Sequence, residues 1–304
     1  MIATVTVPAT TANLGPGFDC IGAALSLYNR FKFTLPEEGA SKVKIAVTGE
    51  EADKVVTDEN NLAYRAFVQL YQHIGQQPPP VEIEIELGVP LARGLGSSAT
   101  AIVGGLLGAY YLAGKPLDIR EVREIAIAIE GHSDNVIPAL VGGCQVSALG
   151  EDYREVWPVY WHHSLTPVVG IPDFELSTEE ARKVLPDAIP RADAVFNIAR
   201  MGMLICSLDQ PHSGGLDIAL NDRIHHPYRK SLIPGYDRVR EAVLAAKAYG
   251  MVISGAGPTL LAIADKGRAE GVAAAMKETW QAEGVGVDVR ILALDTEGAI
   301  VEME

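Results

Sequence analysis

Val81, Ile83, Ile85 and Leu87 are apolar and alternate with Glu82, Glu84 and Glu86. A period of two predicts a strand with one buried face. Further on the period changes. Ala99, Ile102, Val103, Leu106, Leu107 and Tyr110 recur at helical spacing, and Gly114 followed by Pro116 marks the end of that helix. Between the two lies Pro90 to Thr100, PLARGLGSSAT, a glycine-serine turn. The rest of the chain is organised around this strand, turn and helix.

The same reading extends in both directions. Strands are predicted at Met1 to Val7, Phe31 to Leu35, Val43 to Val47, Cys144 to Ala148, Thr166 to Ile171, Met251 to Ser254, Thr259 to Ala264 and Val287 to Leu292. A helix opens at Asn60-Asn61, turns Leu62, Ala66, Phe67 and Leu70 inward, and closes at Gly75. Asp118 and Glu121 form a capping pair for a helix whose face is Ile119, Val122, Ile125, Ala126 and Ile129. Ser133 or Asp134 is placed to cap another. Ser177 and Glu180 make a capping box that starts a short helix carrying Arg182. Longer helices are predicted over Ala192 to Leu208, Tyr236 to Tyr249 and Arg268 to Gln281, with a polar break at His212. Strands and helices alternate in both halves, an α/β pattern. Composition shifts near Gly150 to Trp161, which divides the chain into 1–155 and 156–304.

Composition narrows the class of partner. The chain has 304 residues and a net charge of −14, which argues against nucleic acid and anionic membranes as partners. Phosphate ligands remain open, because backbone N–H groups and a few local cations meet them. Cys20, Cys144 and Cys206 are widely spaced and odd in number, so a reducing, cytoplasmic setting is expected. Met1-Ile2-Ala3 runs into a strand without a basic flank, which predicts no signal peptide. Gly104 and Gly108 form a GxxxG on a helix too short to span a bilayer, so close packing inside a soluble fold is expected.

The turn carries chemistry. Gly94 and Gly96 permit a sharp bend and a close approach to a ligand. Ser97 and Ser98 stand where the helix begins, with free N–H groups and the positive end of the dipole. Such a corner binds phosphate. A P-loop is excluded because the stretch has no lysine. A dinucleotide fingerprint fits Gly94, Gly96 and Ala99, but the acid about 20 residues on is required at the end of a strand, and Asp118 begins a helix.

Other polar groups interrupt apolar elements. Asn13 and Asp19 lie in a loop rich in glycine and proline. Glu130 ends a helix, where a carboxylate opposes the dipole and a functional role gains weight. His132, Asp134 and Asn135 follow it. NDRIHHPYRKSLIPG, with Arg223, Arg229 and Lys230, reads as a solvated loop. The adjacent histidine pairs His162-His163 and His225-His226 do not predict a metal site, because neighbours in sequence rarely ligate one ion.

Three stretches in order carry a family resemblance: PATTANLGPGFDCIG (Pro8 to Gly22), PLARGLGSSAT, and SGAGPT (Ser254 to Thr259). They resemble the motifs of the GHMP small-molecule kinases and span nearly the whole chain. EGHSDN, STEEARKVLP and NDRIHHPYRKSLIPG resemble its homoserine kinase branch. The resemblance implies a mixed-sheet N-terminal domain with a left-handed crossover, a ferredoxin-like C-terminal domain, an active site between them and a homodimer. The implied reaction moves the γ-phosphate of ATP, with Mg²⁺, to the side-chain hydroxyl of L-homoserine for threonine synthesis.

Roles follow from the resemblance. The stretch Pro90, Leu91, Ala92, Arg93, Gly94, Leu95, Gly96, Ser97, Ser98, Ala99 and Thr100 would hold ATP, with Asn61 beside the adenine. Ser98 and Glu130 would hold Mg²⁺, a hydroxyl and a carboxylate suiting a hard ion. Asn13, Asp19, Asp134 and Asn135 would face homoserine's amino and hydroxyl groups, with Asp134 near the reacting hydroxyl. Arg182 and Arg229 would hold its carboxylate, and Gly255 and Gly257 would close the site. Alternatives are a kinase of the same family for mevalonate, a sugar or a diphosphocytidyl alcohol, or a non-catalytic relative that has lost the magnesium ligands.

Overall fold

The computed structural model describes residues 1–36, 41–114, 118–150, 154–211 and 214–303. Pro116 and His212 lie outside the described residues. β1 (Ile2–Ala12) and β2 (Ile21–Thr34) form a long antiparallel pair. β3 (Val43–Thr48), α1 (Leu62–His73) and β4 (Val81–Glu86) follow, and β3 pairs with β4 in parallel. Next come α2 (Ser97–Leu112), α3 (Ile119–Glu130) and α4 (Val136–Val141). A hairpin of β5 (Cys144–Leu149) and β6 (Arg154–Val159) hangs on the start of β2.

β7 (Leu165–Pro172) opens a second sheet. The helices α5 (Thr178–Lys183), α6 (Arg191–Asp209), α7 (Leu216–Ala219) and α8 (His226–Arg229) follow. α9 (Tyr236–Ala245), β8 (Gly250–Ile253), β9 (Leu260–Asp265), α10 (Ala269–Ala282) and β10 (Val287–Ile291) complete that unit. Its strand order, β10-β7-β9-β8, in a β-α-β-β-α-β succession, is ferredoxin-like. β11 (Ile300–Met303) returns to the first sheet, antiparallel to β1.

Apolar periodicity decides where each face goes. Phe31, Phe33, Ile83 and Ile85 lie under α1 and α2 in the first core. Gly104 and Gly108 let α2 approach β2 so closely that a Cβ on either would overlap the Phe31 or Phe33 ring. β7 splits its side chains: Val168 enters the core under α9 and α10, while Leu165, Val169 and Ile171 enter a core shared with Ala9, Leu14 and Leu25 of the first unit. The two sheets are therefore joined through a common core, and the cleft opens along that seam.

Several expectations are corrected. β1 continues past Val7 through Pro8, whose missing N–H is absorbed at a register irregularity between Pro8 and Ala9. Asp118 caps α3, but Glu121 accepts from the Tyr110 hydroxyl at 3.3 Å instead of closing a capping box. Neither Ser133 nor Asp134 caps α4, whose N-cap residue is Asn135 with no side-chain cap. The change of sheet, between Val159 and Leu165, overlaps the Gly150 to Trp161 stretch where composition shifts, because β6 pairs with β5.

Candidate active site

The turn before α2 is held by its glycines. Gly94 and Gly96 have φ of +75° and +68°, a left-handed region that favours glycine. A Cβ on Gly94 would strike the Ser254 carbonyl and Gly257 backbone, and one on Gly96 would strike Thr10 Oγ1. The glycines thus serve the packing of one chain segment on another as well as access to the cleft. Leu95 and Ala99 are buried in the cores, and Thr100 Oγ1 donates to the Ser97 carbonyl at 2.8 Å.

A cleft of about 540 Å³ lies over this turn. Leu91, Ala92, Arg93, Gly94, Gly96, Ser97 and Ser98 line it, whereas Pro90, Leu95, Ala99 and Thr100 do not. One end is apolar, with Val55, Val56, Leu62 and Leu87. Asn61 reaches this end, but its side chain is engaged: it caps α1 through Ala63 and Tyr64 N–H and donates to the Val56 carbonyl at 2.7 Å. The Arg93 guanidinium is also engaged, donating to the carbonyls of Leu91, Pro172 and Asp173 and to Glu51. It fastens the turn to the end of β7.

The candidate metal ligands meet. Ser98 Oγ donates to Glu130 Oε1 at 2.7 Å. A hydroxyl and a carboxylate in this arrangement suit a hard divalent cation such as Mg²⁺. Beyond Glu130, His132 Nδ1 lies 2.8 Å from Asp134 Oδ1 and its Nε2 lies 3.9 Å from Glu130 Oε1. The hydrogen bond to Asp134 raises the His132 pKa above its ordinary value. Asp134 is buried, and Asn135 Oδ1 accepts from Thr10 Oγ1 at 2.8 Å.

Opposite stand the groups read as contacts for an amino acid. Asn13, at φ +72°, donates to the Gly255 carbonyl at 2.8 Å and accepts from the Asp19 N–H. Asp19 takes a two-pronged contact from Arg182, at 3.1 and 3.0 Å. Arg229 reaches the same cleft from α8 and donates to the Ala181 and Gly255 carbonyls. Gly255 and Gly257 line the cleft from the β8–β9 connection. The structure therefore assembles Asn13, Asp19, Ser98, Glu130, Asp134, Asn135, Arg182 and Arg229 around one space.

The segment read as solvated is buried in part, while Arg223 stays exposed. Arg229 is 2% exposed, and Asp222, His225 and His226 are buried too. Asp222, His225 and His226 converge, but their polar atoms are already used. Asp222 accepts from the N–H groups of Ile224, His225 and His226 and from Asn197; His226 Nε2 accepts from Ile253 N–H. Two residues, one lining the cleft and one packed behind its arginines, lacked a role in the sequence reading. His132 had a signal, a histidine between Glu130 and Asp134. Phe18, whose ring lies 5.9 Å from the Arg182 guanidinium carbon and 5.3 Å from that of Arg229, had none.

Comparison with known proteins places these features. The GHMP kinase N-terminal model matches residues 61–143, and the GHMP kinase C-terminal model matches residues 214–282. A homoserine kinase of Microchaete diplosiphon is 62% identical over 296 residues, covering 97% of this chain and 96% of that protein. A crystal structure of homoserine kinase from Cytophaga hutchinsonii superposes with a TM-score of 0.90 at 29% identity, covering 99% and 97% of the two chains. The structure of a putative homoserine kinase from Listeria monocytogenes gives 0.76 at 30% identity, covering 99% and 100%. The chain belongs to the GHMP kinase family, and within it to the homoserine kinases.

Proposed function

We propose that this protein transfers the γ-phosphoryl group of ATP to the side-chain hydroxyl of L-homoserine, yielding O-phospho-L-homoserine for threonine synthesis. The observation that carries the reading is a convergence in one cleft. The N-terminus of α2 with Ser98 and Glu130 meets two guanidinium groups, Arg182 and Arg229. The helix N-terminus suits nucleotide phosphates, Ser98 with Glu130 suits the cation that accompanies them, and the guanidinium groups suit an amino-acid carboxylate.

In this reading the apolar end beside Val55, Val56 and Leu62 takes the adenine. The backbone from Gly94 to Ser98 cradles the phosphates. Ser98 and Glu130 would hold Mg²⁺, which would supply neutralisation of charge on the phosphate oxygens. Asp19 and Asn13 face the substrate amino group. Asp134, steadied by His132, and Asn135 orient the hydroxyl. Phosphoryl transfer rests mainly on positioning and charge stabilisation, so these residues need supply no strong base. The test is ADP release with MgATP and homoserine, mevalonate, galactose or shikimate. Homoserine should be the preferred acceptor by orders of magnitude, and preference for another alcohol would overturn the assignment.

We also propose a homodimer built on α6. Its outer face carries Val195 at 60%, Ile198 at 72% and Ile205 at 37% exposure, beside an open Gly202. Among the described residues, exposed Arg191 and Asp209 at its two ends have no ion-pair partner. A two-fold axis beside Arg200 sets Val195 against Ile205, Ile198 against Gly202, and Arg191 against Asp209 of a second copy. Both shape and charge are then self-complementary, as an isologous contact requires. Light scattering should give a dimer for the wild type and a monomer for Ile198→Asp. A monomeric wild type, or a dimer that survives this change, contradicts it. No helix among the described residues is long and apolar enough to cross a membrane. The unpaired thiols of Cys20 and Cys206, both exposed, support a cytoplasmic location.

A further inference from the structure

Arg229 is a buried cation whose donors are mostly committed. Nε donates to the Ala181 carbonyl at 3.0 Å and Nη1 to the Gly255 carbonyl at 3.1 Å. Nη2 donates to no described residue, and Arg229 lines the cleft. Beside the guanidinium stands His225. Its Nε2 lies 2.9 Å from the Gly15 carbonyl. A carbonyl can only accept, so Nε2 carries the proton. In a neutral ring Nδ1 is then an acceptor, and it lies 3.5 Å from Arg229 Nη1.

The ring is fixed on every side. Asp222 Oδ2 accepts from the His225 main-chain N–H at 2.8 Å and lies 3.8 Å from its ring Nε2. Phe18 packs with its ring centroid 5.2 Å from that of His225. His225 is fully buried, and burial holds its pKa below the ordinary value. Asp222 beside Nε2 works against this and Arg229 beside Nδ1 works with it, but burial is the largest effect and keeps the ring neutral.

We propose that His225 is a positioning residue for substrate recognition: its neutral Nε2–H tautomer accepts from Arg229 Nη1 and leaves Nη2 directed to the substrate's α-carboxylate. The inference rests on the homoserine reading and concerns only how the carboxylate is held. A histidine that merely fills the core would affect every acceptor alcohol alike.

The test compares L-homoserine with 3-amino-1-propanol, which lacks the carboxylate, for the wild type, His225→Asn and His225→Gln. An asparagine amide oxygen lies near the Nδ1 position and keeps an acceptor for Arg229. A glutamine amide reaches the Nε2 position and keeps only the Gly15 contact. KM for homoserine should rise about tenfold in His225→Gln, the lower end for a hydrogen bond to a charged group, and only a few-fold in His225→Asn. kcat, KM for MgATP and kcat/KM for the amino alcohol should hold in both. Equal losses in the two variants, or equal losses for the two alcohols, would overturn the proposal while leaving homoserine as the substrate. A wild type that does not use homoserine would overturn the substrate reading and this proposal together. Thermal melts of both variants establish that each is folded.

Discussion

Ser98 Oγ donates a 2.7 Å hydrogen bond to Glu130 Oε1, tying the first turn of α2 to the last residue of α3. The two helices present opposite dipole ends to the cleft. The N-terminus of α2 attracts phosphate, while the carboxylate at the C-terminus of α3 is unfavourable without a cation. The pair makes chemical sense as a cation site beside a phosphate site.

Glu130→Gln keeps the shape of the side chain and removes its charge. Loss of electrostatic stabilisation at the reacting group should cost about 3 kcal/mol, or roughly two orders of magnitude in kcat. The melting temperature should hold or rise slightly, because α3 loses a charge that opposes its dipole. Turnover measured across a magnesium titration, with a melt of each protein, checks both parts; wild-type turnover at limiting magnesium would remove Glu130 from the metal site.

Arg229→Leu should lower kcat/KM for homoserine by one to two orders of magnitude, from a charge-assisted contact of about 1.5–3 kcal/mol. The amino alcohol should suffer far less. The variant should also lose stability, since the Ala181 and Gly255 carbonyls give up a buried donor. Kinetics on both alcohols, corrected by the folded fraction, separate the two effects. Equal harm to both would make Arg229 a structural residue only.

Gly94→Ala should destabilise the fold by about 1–3 kcal/mol from the left-handed backbone alone. Its Cβ would add a clash with the Ser254 carbonyl. The same reasoning applies to a larger side chain at Gly96. It meets Thr10 and the Thr10–Asn135 hydrogen bond before it meets phosphate, so Gly96→Val should lose stability along with nucleotide binding. Urea midpoints check both. A Gly94→Ala protein as stable as the wild type would mean that the β8–β9 connection yields readily.

Stability should fall as pH drops below about 6.5, the ordinary histidine value. Burial depresses the pKa of both His225 and His226. The unfolded chain then binds protons that the folded chain refuses, so their stabilisation is full above that value and is lost towards the folded pKa values. His132 acts in the opposite sense: its raised pKa gives stability present below about 6.5 and lost as pH rises through the folded value. Two fully buried rings outweigh one partly exposed ring. Denaturant midpoints at pH 5.5 and 7.5 should differ, and the difference should shrink in His226→Gln, whose amide oxygen can still accept from Ile253 N–H. A pH-independent midpoint would show that both rings stay neutral when unfolded or charge freely when folded.

Periodicity made much of this architecture legible. The alternation through Val81 to Leu87 and the helical spacing from Ala99 locate β4, the turn and α2 within a few residues. The capping box at Ser177 and Glu180 is formed as read. What stayed hidden depends on distant partners. Arg229 stands in a polar run that looks solvated, and its side chain is held by the carbonyls of Ala181 and Gly255, neither of them near it in sequence. Arg93 sits inside the phosphate turn, yet its guanidinium serves Pro172 and Asp173 at the end of β7. β11 is a short strand interrupted by a glutamate, too brief for a period to declare itself, and only its pairing with β1 defines it.

That pairing bears on synthesis. Ala3, Thr4, Val5 and Thr6 find their outer neighbours at Met303, Glu302, Val301 and Ile300. While the ribosome is still making the second sheet, β1 presents a row of unpaired main-chain groups, the kind of edge that recruits other nascent chains. A fragment ending at Tyr160 would keep that edge permanently. The nucleotide-binding half is therefore expected to be sticky as an isolated product, and to trade its long exposed edge for a four-residue one only after residues 300–303 have been added.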